Sequence, residues 1–454
     1  MRKIITLVCL CVLPLTYMAA EGYQVNSQSA KQSGMGHVGV AMKLGAESMH
    51  FNPAGLGFME NTLDLSAGVF AIFPDAKYSN GSYSHKTEKK ASTPLYFYGA
   101  FKIYDFLSAG ISVTNPYGSA IDWGKNWAGA SLIQDISLKS FSIQPTLSWK
   151  VTDNFSIGAG AMLVFGNFEL SRSLLSGDYL NEKMAPLGAA VPQVAQILDA
   201  FKGTQVAATT LSGNAPIRMG INFGLMWDIT DKWTLGASYR SKVRMKVNEG
   251  TAEMIYANEA MLQQLIQIAT AATGSNPIPI PPLNKGTFKA ELPLPDNYHV
   301  GLTYKANDRW LFSGEVQFVG WGAYKTLNVQ FTEEVLEGGY SINAPKEYKN
   351  TRIYRLGTQF AATSRLDLRF GAYLDETPVK DDYLNPETPS MNKLGITAGL
   401  SFRPVDRLSV DFGFGYITGF GRDGSYTDAL TGNKFEGHYE VTALSPTIGA
   451  AYRF

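Results

Sequence analysis

Four cations near the middle of the chain have the spacing most suggestive of chemistry. Arg240, Lys242, Arg244 and Lys246 occur at every second position, so on a β-strand all four side chains would lie on one face. Such a row could attract a carboxylate from solution, and it could equally be a solvated face of the protein. The spacing alone leaves both interpretations open.

Residues for catalysis or metal binding are sparse. A nucleophile needs a base beside it, and the five histidines fall in no recognisable local pairing. No cluster of Cys, His and Asp has metal-ligand spacing, and both cysteines, Cys9 and Cys11, lie in a leader that we expect to be removed. We therefore predict that the protein is not an enzyme and binds no metal or cofactor. The histidines are His37, His50, His85, His299 and His438.

The N-terminus has the features of a secretory signal peptide. Arg2 and Lys3 precede an apolar run that ends at about Leu15, and small residues come before Glu21. Because this run is too short to span about 30 Å of hydrocarbon, we predict a signal peptide over residues 1–20. The remaining chain has 37 basic and 39 acidic residues. That balance offers no electrostatic footprint for nucleic acid.

Apolar residues alternate with small or polar residues along most of the chain. One stretch places Phe412 and Phe414 on one face of a strand and Asp411 and Gly413 on the other. A soluble sandwich would need large apolar side chains toward its core, whereas a barrel in lipid turns its apolar band outward and can keep a polar lumen. The pattern therefore predicts a transmembrane β-barrel, with the four cations facing its lumen near the outer mouth.

Six short turns and seven longer connections divide this pattern into fourteen strands. Short turns of exported barrels face the periplasm and long loops face outward, so both chain ends are expected on the periplasmic side. The last strand should close against the first, because lipid does not tolerate unpaired strand edges. We therefore predict an all-β fold, a 14-stranded antiparallel transmembrane β-barrel over residues 62–454.

Two of the outer loops contain helical patterns. Residues 184–201 and 255–269 carry apolar side chains at the three- and four-residue spacing of short amphipathic helices. The second is followed by Pro277–Pro282, which has polyproline character. The helices either only cap the barrel mouth or form a groove for a hydrophobic ligand with their apolar faces. The groove would include Leu187, Val191, Leu262 and Leu265.

About forty residues precede the first strand and lack its alternation. They are rich in Gly and Ser, yet they include Val38, Val40 and Phe51, which favour packing. A fourteen-strand barrel is wide enough to leave an aqueous hole unless something plugs it. We therefore predict that residues 21–61 form a hatch inside the barrel, the alternative being a disordered periplasmic tail.

The third strand is interrupted by Pro116 and Gly118. Proline cannot donate to a sheet ladder, and glycine permits the backbone geometry of a bulge. A proline at this depth would leave a gap in the barrel wall. The alternative is that the strand simply ends at Thr114 on the extracellular side.

The chain resembles the FadL/TodX-type outer-membrane transporters of hydrophobic compounds over nearly all of its length after the leader. The most specific match is Asn52-Pro53-Ala54, which is similar to an element of that family's hatch. Further familiar stretches are Ser148–Val151, Phe155–Gly160, Leu292–Asp296, Trp321 and Asp375–Val379. The resemblance implies a fourteen-strand barrel, plugged by a hatch, that takes up fatty acids or aromatic hydrocarbons from outside a Gram-negative cell.

The resemblance also implies roles for individual residues. The Asn-Pro-Ala element would belong to a gate, and Pro116 with Gly118 would mark an inward kink through which a ligand leaves sideways into the membrane. Arg172 and Lys349 occupy positions where the family has basic residues that contact an anionic head group. Arg can hold a carboxylate with two hydrogen bonds, and Lys adds a point charge.

The resulting prediction is a passive, gated outer-membrane channel driven by the gradient of its substrate. A polar-solute porin is the alternative, and the predicted plug argues against it. A lipid-modifying barrel enzyme is a further alternative, disfavoured because a catalytic pair is missing. We expect a monomer that contacts outer-membrane lipid and a hydrophobic small molecule but no nucleic acid. The sequence does not choose among fatty acids, aromatic hydrocarbons and other lipids, because apolar pockets discriminate such ligands by shape.

Overall fold

The structure is a computed structural model that describes residues 22–88, 90–275, 285–331, 341–429 and 432–454. The predicted signal peptide and the segment Pro277–Pro282 lie outside these ranges. Within the described ranges, no helix is both long enough and apolar enough to cross a membrane.

Fourteen antiparallel strands, several of them divided by a short break, form one closed barrel. Each strand pairs with the next one in the chain, and β1 pairs with β14, where Leu65 lies opposite Tyr452. The predicted fold class, strand number and closure are therefore confirmed. The strands are β1 (Leu63–Phe70, Phe73–Asn80), β2 (Tyr83–Lys86, Leu95–Tyr104), β3 (Leu107–Thr114, Gly118–Asp122), β4 (Asp135–Thr152), β5 (Phe155–Ser176), β6 (Gln205–Thr230), β7 (Trp233–Arg240, Val243–Tyr256), β8 (Lys285–Leu294, Asn297–Lys305), β9 (Trp310–Val319, Thr326–Phe331), β10 (Ser341–Pro345, Thr351–Ala361), β11 (Leu366–Asp375), β12 (Lys393–Val405), β13 (Leu408–Gly419, Arg422–Thr427) and β14 (Lys434–Arg453).

The barrel exterior is apolar, as the alternation of the sequence predicts. In β13, Phe412 and Phe414 are 45% and 46% exposed, whereas Asp411, directly before Phe412, is fully buried. Aromatic rings also pack across neighbouring strands beside the short turns, as Trp310 does with Phe360 at a centroid distance of 4.6 Å. Such pairs are typical of the aromatic girdle at a membrane interface.

Short helices occur near the N-terminus and in the outer loops. Near the N-terminus are α1 (Ala30–Ser33) and α2 (Ser48–Phe51), accompanied by 3-10 turns at Gly45–Glu47 and Pro53–Phe58. The outer loops contain α3 (Gly177–Ala190), α4 (Pro192–Phe201) and α5 (Glu259–Thr273).

The outer-loop helices differ in detail from the predicted ranges. Residues 184–201 span two helices rather than one, because Val191 is extended before Pro192, as residues before proline prefer to be. The third helix starts at Glu259, where the side chain of Asn258 caps it by accepting the Met261 N–H. Ile255 and Tyr256, the first of which was predicted to be helical, are the last residues of β7 instead.

Candidate functional site

Residues 22–62 are here called the N-terminal segment, and residues 22–59 of it pack against the inner wall of the barrel. Apolar side chains such as Met35, Val38, Met49 and Leu56 are fully buried within it or against the inner wall. The first strand begins directly after the segment, at Leu63. The position of the segment makes it a candidate gate, and its movement stays a prediction.

Asn52 joins two parts of the N-terminal segment to the barrel wall. Its side-chain amide donates to the carbonyl oxygens of Val40 at 2.7 Å and of Leu225 in β6 at 2.9 Å. Its Oδ1 accepts the Ala54 N–H at 3.1 Å. Pro53 begins the 3-10 turn, where its missing N–H is not needed. The predicted Asn-Pro-Ala element is therefore a fully bonded junction.

Two glycines of the inner wall make room for this junction. A Cβ atom added to Gly224 would lie 2.0 Å from the Asn52 Oδ1, and one added to Gly158 would lie 2.4 Å from the carbonyl carbon of Pro53. Only a residue without a side chain lets Asn52 and Pro53 approach the wall this closely. The wall of β5 and β6 is thus shaped for the segment that it encloses.

A buried carboxylate on β9 holds a second part of the N-terminal segment. Glu315 accepts the backbone N–H groups of Gly39 at 2.9 Å and Val40 at 3.0 Å. Its other oxygen contacts Arg355 at 3.1 Å and the His299 Nδ1 at 2.9 Å. Charged hydrogen bonds of this kind are strong when every partner is satisfied. Sequence reasoning missed Glu315, although its inward position follows from the alternation along β9.

Arg240 bonds the wall to α2 and its surroundings. Its guanidinium donates to the carbonyl oxygen of His50 at 2.8 Å and to the Gln144 side chain at 3.2 Å. Gln144 in turn donates to the carbonyl oxygen of Met49 at 2.7 Å. Arg240 therefore faces the lumen as predicted, but it binds the N-terminal segment and not solvent.

The other three predicted cations do not face the lumen, and that prediction was wrong for them. Lys242, Arg244 and Lys246 are exposed, and the last two form ion pairs with Glu291 at 3.3 and 3.0 Å. β7 is broken at residues 241–242, and the break shifts the alternation so that Val243 turns inward instead.

A small cavity of about 30 Å³ lies among the polar residues that hold the segment. Its lining includes His37, His50, Arg240, His299 and Glu315. A space of this size is large enough for ordered water. In the part of the chain that the structure describes, no group of three His, Cys, Asp or Glu side chains could hold a metal ion.

Toward the extracellular side the lumen becomes apolar. Aliphatic and aromatic side chains from opposite walls form one buried cluster above the N-terminal segment. Such a lining favours apolar molecules over hydrated ones. Members of this cluster on the strands include Met162, Val164, Val243, Met245, Phe288, Leu294, Val319 and Ile353.

β3 is divided at the predicted position. Its ladder with β2 ends at the pair of Tyr96 and Thr114, and the strand resumes at Gly118 paired only with β4. The strand therefore does not end at Thr114. Near the break, the Leu95 N–H donates to the Asn115 side chain at 3.0 Å in place of a backbone carbonyl. Sheet pairing between β2 and β3 is thus interrupted within the described residues.

A cavity of about 770 Å³ lies behind the interrupted stretch. Its lining includes Gly22 and Gln24–Ser27 of the N-terminal segment, residues 90–95 at the start of the second part of β2, Asn115 and residues 117–122 of β3, and positions on β4, β13 and β14. At the outer edge, the Glu88 N–H donates to the carbonyl oxygen of Asp122 at 2.7 Å, and Lys90 forms an ion pair with the same aspartate. The cavity thus joins the N-terminal segment to the gap in the wall.

Arg172 and Lys349 have separate surroundings. Arg172 is buried, and its Nη2 contacts both carboxylate oxygens of Asp428 at 3.1 and 3.3 Å. Lys349 is exposed, and its backbone N–H donates to the carbonyl oxygen of Pro378 at 2.9 Å. No contact between described residues joins the two, so a shared head-group site stays a prediction.

A buried lysine close to Lys349 in sequence was missed. Lys346 contacts Glu387 at 2.6 Å. Burial alone would lower the pKa of Lys346, but the Glu387 carboxylate raises that pKa above its ordinary value. The ammonium group is therefore charged at neutral pH. Burial also raises the pKa of the neighbouring Tyr348 to about 12.

The apolar faces of α3, α4 and α5 pack against one another. Leu262 and Leu265 are 1% and 0% exposed, and Leu187 and Val191 are half-buried against the same cluster. The helices themselves fill the space between their apolar faces. A ligand groove at these residues stays a prediction and would require the helices to separate.

Sequence comparison relates the chain to transport proteins of the outer membrane. The model of the family described as "Outer membrane protein transport protein (OMPP1/FadL/TodX)" matches residues 12–454. A putative outer membrane protein of Neisseria meningitidis serogroup B is 25% identical over 461 residues, which cover 94% of each chain. The long-chain fatty acid transport protein of Escherichia coli K12 is 23% identical over 413 residues, which cover 88% of each chain.

Solved structures with the same fold include proteins from two pseudomonads. A Pseudomonas aeruginosa FadL homologue matches 96% of this chain and 100% of its own with a TM-score of 0.78 and 19% identity. The P. putida toluene transporter TodX matches 96% of this chain and 99% of its own with a TM-score of 0.67 and 18% identity. At these identities the likeness establishes a common fold.

Proposed function

The chain belongs to the family of outer membrane transport proteins that includes FadL and TodX, and from this premise we propose that it takes up long hydrophobic molecules. The barrel lies in the outer membrane of a Gram-negative cell. The proposed substrates are long-chain fatty acids or aromatic hydrocarbons, the compounds named for its relatives.

The cavity behind the break in β3 carries this proposal. A molecule that enters the apolar outer lumen meets the N-terminal segment, which blocks the direct way to the periplasm. The 770 Å³ cavity offers a sideways way out, because it reaches the interrupted pairing of β2 and β3 near Pro116 and Gly118. Burial of apolar surface contributes about 25 cal/mol per Å² and retains the substrate without an energy source. The substrate's own gradient then drives uptake.

The gate in this proposal is the N-terminal segment, with the Asn52-Pro53-Ala54 junction as its anchor. The junction and Glu315 bond the segment to two different strands of the wall, β6 and β9. A displacement at either point breaks several buried hydrogen bonds together, so the segment is held in a defined position until a ligand or a fluctuation offsets their loss.

Recognition of an acidic head group by Arg172 and Lys349 is a further part of the proposal. Arg172 is bonded to Asp428 through its Nη2, so a ligand carboxylate either shares the guanidinium group with that side chain or replaces it. Lys349 is exposed and adds attraction at the outer end. Leu187, Val191, Leu262 and Leu265 would receive the apolar body if the outer helices separate.

A polar-solute porin is the competing function. It would need an open aqueous lumen, and the buried N-terminal segment together with the apolar outer lumen argues against one. We also propose that the protein has no enzymatic activity. Since one chain closes the whole barrel, we further propose that it acts as a monomer in contact with membrane lipid.

Uptake measurements in a host without its own transporter of this family test the proposal. Cells that express the protein should accumulate labelled oleate or toluene faster than cells with an empty vector. A disulfide across the gap, formed by Leu95→Cys with Asn115→Cys, should block this uptake reversibly, the reduced form being the control. Rapid passage of sugars into proteoliposomes without hydrophobic uptake would identify a porin instead.

A further inference from the structure

A cationic side chain on β6 faces the apolar outer lumen. Arg218 lies on the same face of the strand as Asn222, whose side chain donates to the carbonyl oxygen of Met49 in the N-terminal segment at 3.0 Å. Arg218 is four residues closer to the outer end of β6, which corresponds to about 13 Å along an extended strand. It is partly exposed, so a molecule in the lumen can reach its guanidinium group.

The neighbours of Arg218 are apolar. Val164 of β5 lies opposite it in the ladder and is 2% exposed. Gly220 is the next residue on the same face of β6, and a Cβ added there would lie 2.7 Å from the side chains of both Met162 and Val243. These three side chains belong to the buried apolar cluster of the outer lumen. A charge in such surroundings costs free energy unless an opposite charge or a hydrogen-bond acceptor accompanies it.

Arg218 has no such partner among the described residues. Its side chain forms no ion pair or hydrogen bond with them, and its Nε is buried without an acceptor. Every other arginine of the described ranges that is not exposed donates to an oxygen atom of a neighbouring residue. These are Arg172, Arg240, Arg355, Arg369, Arg403, Arg422 and Arg453. Arg218 therefore has hydrogen-bond donors available for a ligand.

The neighbouring strand β7 offers no partner either. Its ladder with β6 ends at the pair of Arg240 and Asn222 and resumes at the pair of Thr251 and Ser212. Arg218 lies within this interval, so no residue of β7 is paired with it. A side chain of β7 in ladder register therefore does not compete with a ligand for the guanidinium group.

We propose that Arg218 anchors a carboxylate-binding subsite of the outer lumen, on the extracellular side of the N-terminal segment. The carboxylate of a fatty acid accepts two N–H groups of the guanidinium, and the acyl chain packs against Met162, Val164 and Val243. An aromatic hydrocarbon gains only the apolar contacts, so the subsite favours acids. The inference rests on the proposed function, because the transported molecule supplies the carboxylate.

Binding of oleate and of oleyl alcohol to the purified full-length protein tests the subsite, because the two ligands differ only in the head group. The variant with Arg172→Gln and Lys349→Gln, here called the background, excludes the head-group site proposed above. Adding Arg218→Gln to the background should weaken oleate binding in calorimetry by about ten- to hundredfold, the range of charged hydrogen bonds, and barely change the affinity for the alcohol. Adding Arg309→Gln instead removes an exposed guanidinium at a turn, and this control should change neither affinity.

A reversal of charge gives a second measurement. Adding Arg218→Glu to the background should abolish the preference for oleate and strengthen the binding of oleylamine at least about tenfold. A folded barrel is recognised by the different electrophoretic mobilities of boiled and unboiled protein. Equal oleate affinities with and without Arg218→Gln would overturn the subsite. Equal losses for acid and alcohol would also overturn it, because they indicate a structural role for Arg218.

Uptake by cells separates this inference from the proposed function. If Arg218→Gln leaves oleate binding unchanged and the wild type still accelerates toluene uptake, the subsite is refuted and the proposed function stands. If no form of the protein takes up oleate or toluene, the proposed function fails, and the calorimetric affinities still decide the subsite.

Discussion

Replacing Glu315 by alanine tests what keeps the N-terminal segment inside the barrel. The change removes the acceptor of two backbone N–H groups, at 2.9 and 3.0 Å, and the carboxylate that faces Arg355 at 3.1 Å. Removing one partner of a buried ion pair costs about 3–5 kcal/mol of stability. The two lost hydrogen bonds from backbone N–H groups are counted within that range, because both losses come from removing the same carboxylate. We expect most of this loss to act on the position of the segment, since two of the broken bonds belong to it.

The expected consequence is a larger population with the segment displaced. A difference of about 1.4 kcal/mol is tenfold in an equilibrium constant, so this population should rise roughly a hundredfold to a few thousandfold. Trypsin cleavage after Lys31 is a suitable assay. Lys31 is buried and lies 3.6 Å from Glu47 and 3.7 Å from Asp411, so the protease reaches it only when the segment has left its place. Single-channel conductance should show more frequent openings as well.

Two further variants control the interpretation. Glu315→Gln keeps the shape and one acceptor but loses the charge, so cleavage should accelerate less than with alanine. Glu440→Ala removes an exposed carboxylate that pairs with Lys77 and should change nothing. Unfolding of the whole barrel is recognised by loss of the mobility difference between boiled and unboiled protein. Wild-type rates of cleavage and conductance in a folded Glu315→Ala barrel would refute the reasoning.

Three other perturbations have defined outcomes. Deleting residues 22–58 should raise single-channel conductance in planar bilayers, and an unchanged conductance would mean that they do not plug the barrel. Gly224→Ala should displace the Asn-Pro-Ala junction and speed trypsin cleavage, whereas Gly415→Ala should not, because its added Cβ would have its nearest neighbours at an ordinary 3.8 Å. Replacing Arg172 and Lys349 by Gln should weaken calorimetric binding of a fatty acid by roughly 1–3 kcal/mol while barely affecting the matching alcohol. Equal losses for acid and alcohol would indicate a structural role for the pair.

The strand count was predictable because the environment of a barrel constrains nearly every residue. Lipid outside and packed or polar surroundings inside impose a period of two, as Phe412 and Asp411 illustrate. After a break in a strand, the direction in which each side chain points was not predictable. Residues 241–242 leave the ladder of β7. Whether the side chain of Val243 faces the lumen or the outside when the strand continues depends on its neighbours in β6 and β8.

The site was predictable only where a local motif marks it. Asn52-Pro53-Ala54 and the break at Pro116 are visible in a few residues. The bonds of Glu315 to Gly39 and Val40 join positions more than 270 residues apart, and no local pattern reveals such a partner. The outer helices show the same limit, because their apolar faces were evident but their mutual packing was not.

The seam between β1 and β14 has a consequence for how the molecule is assembled. It joins the two ends of the barrel sequence. Asp64 of β1 lies opposite Arg453 of β14 in the sheet, and their side chains form an ion pair at 3.2 Å. Contacts between such distant residues form late, since the loop-closure entropy has to be offset first. The segment that precedes β1 is therefore enclosed as the ring closes and does not have to be threaded into a finished barrel. The segment must therefore reach its correct position before β1 and β14 pair. A segment that is misplaced at that point would stay enclosed in the finished barrel.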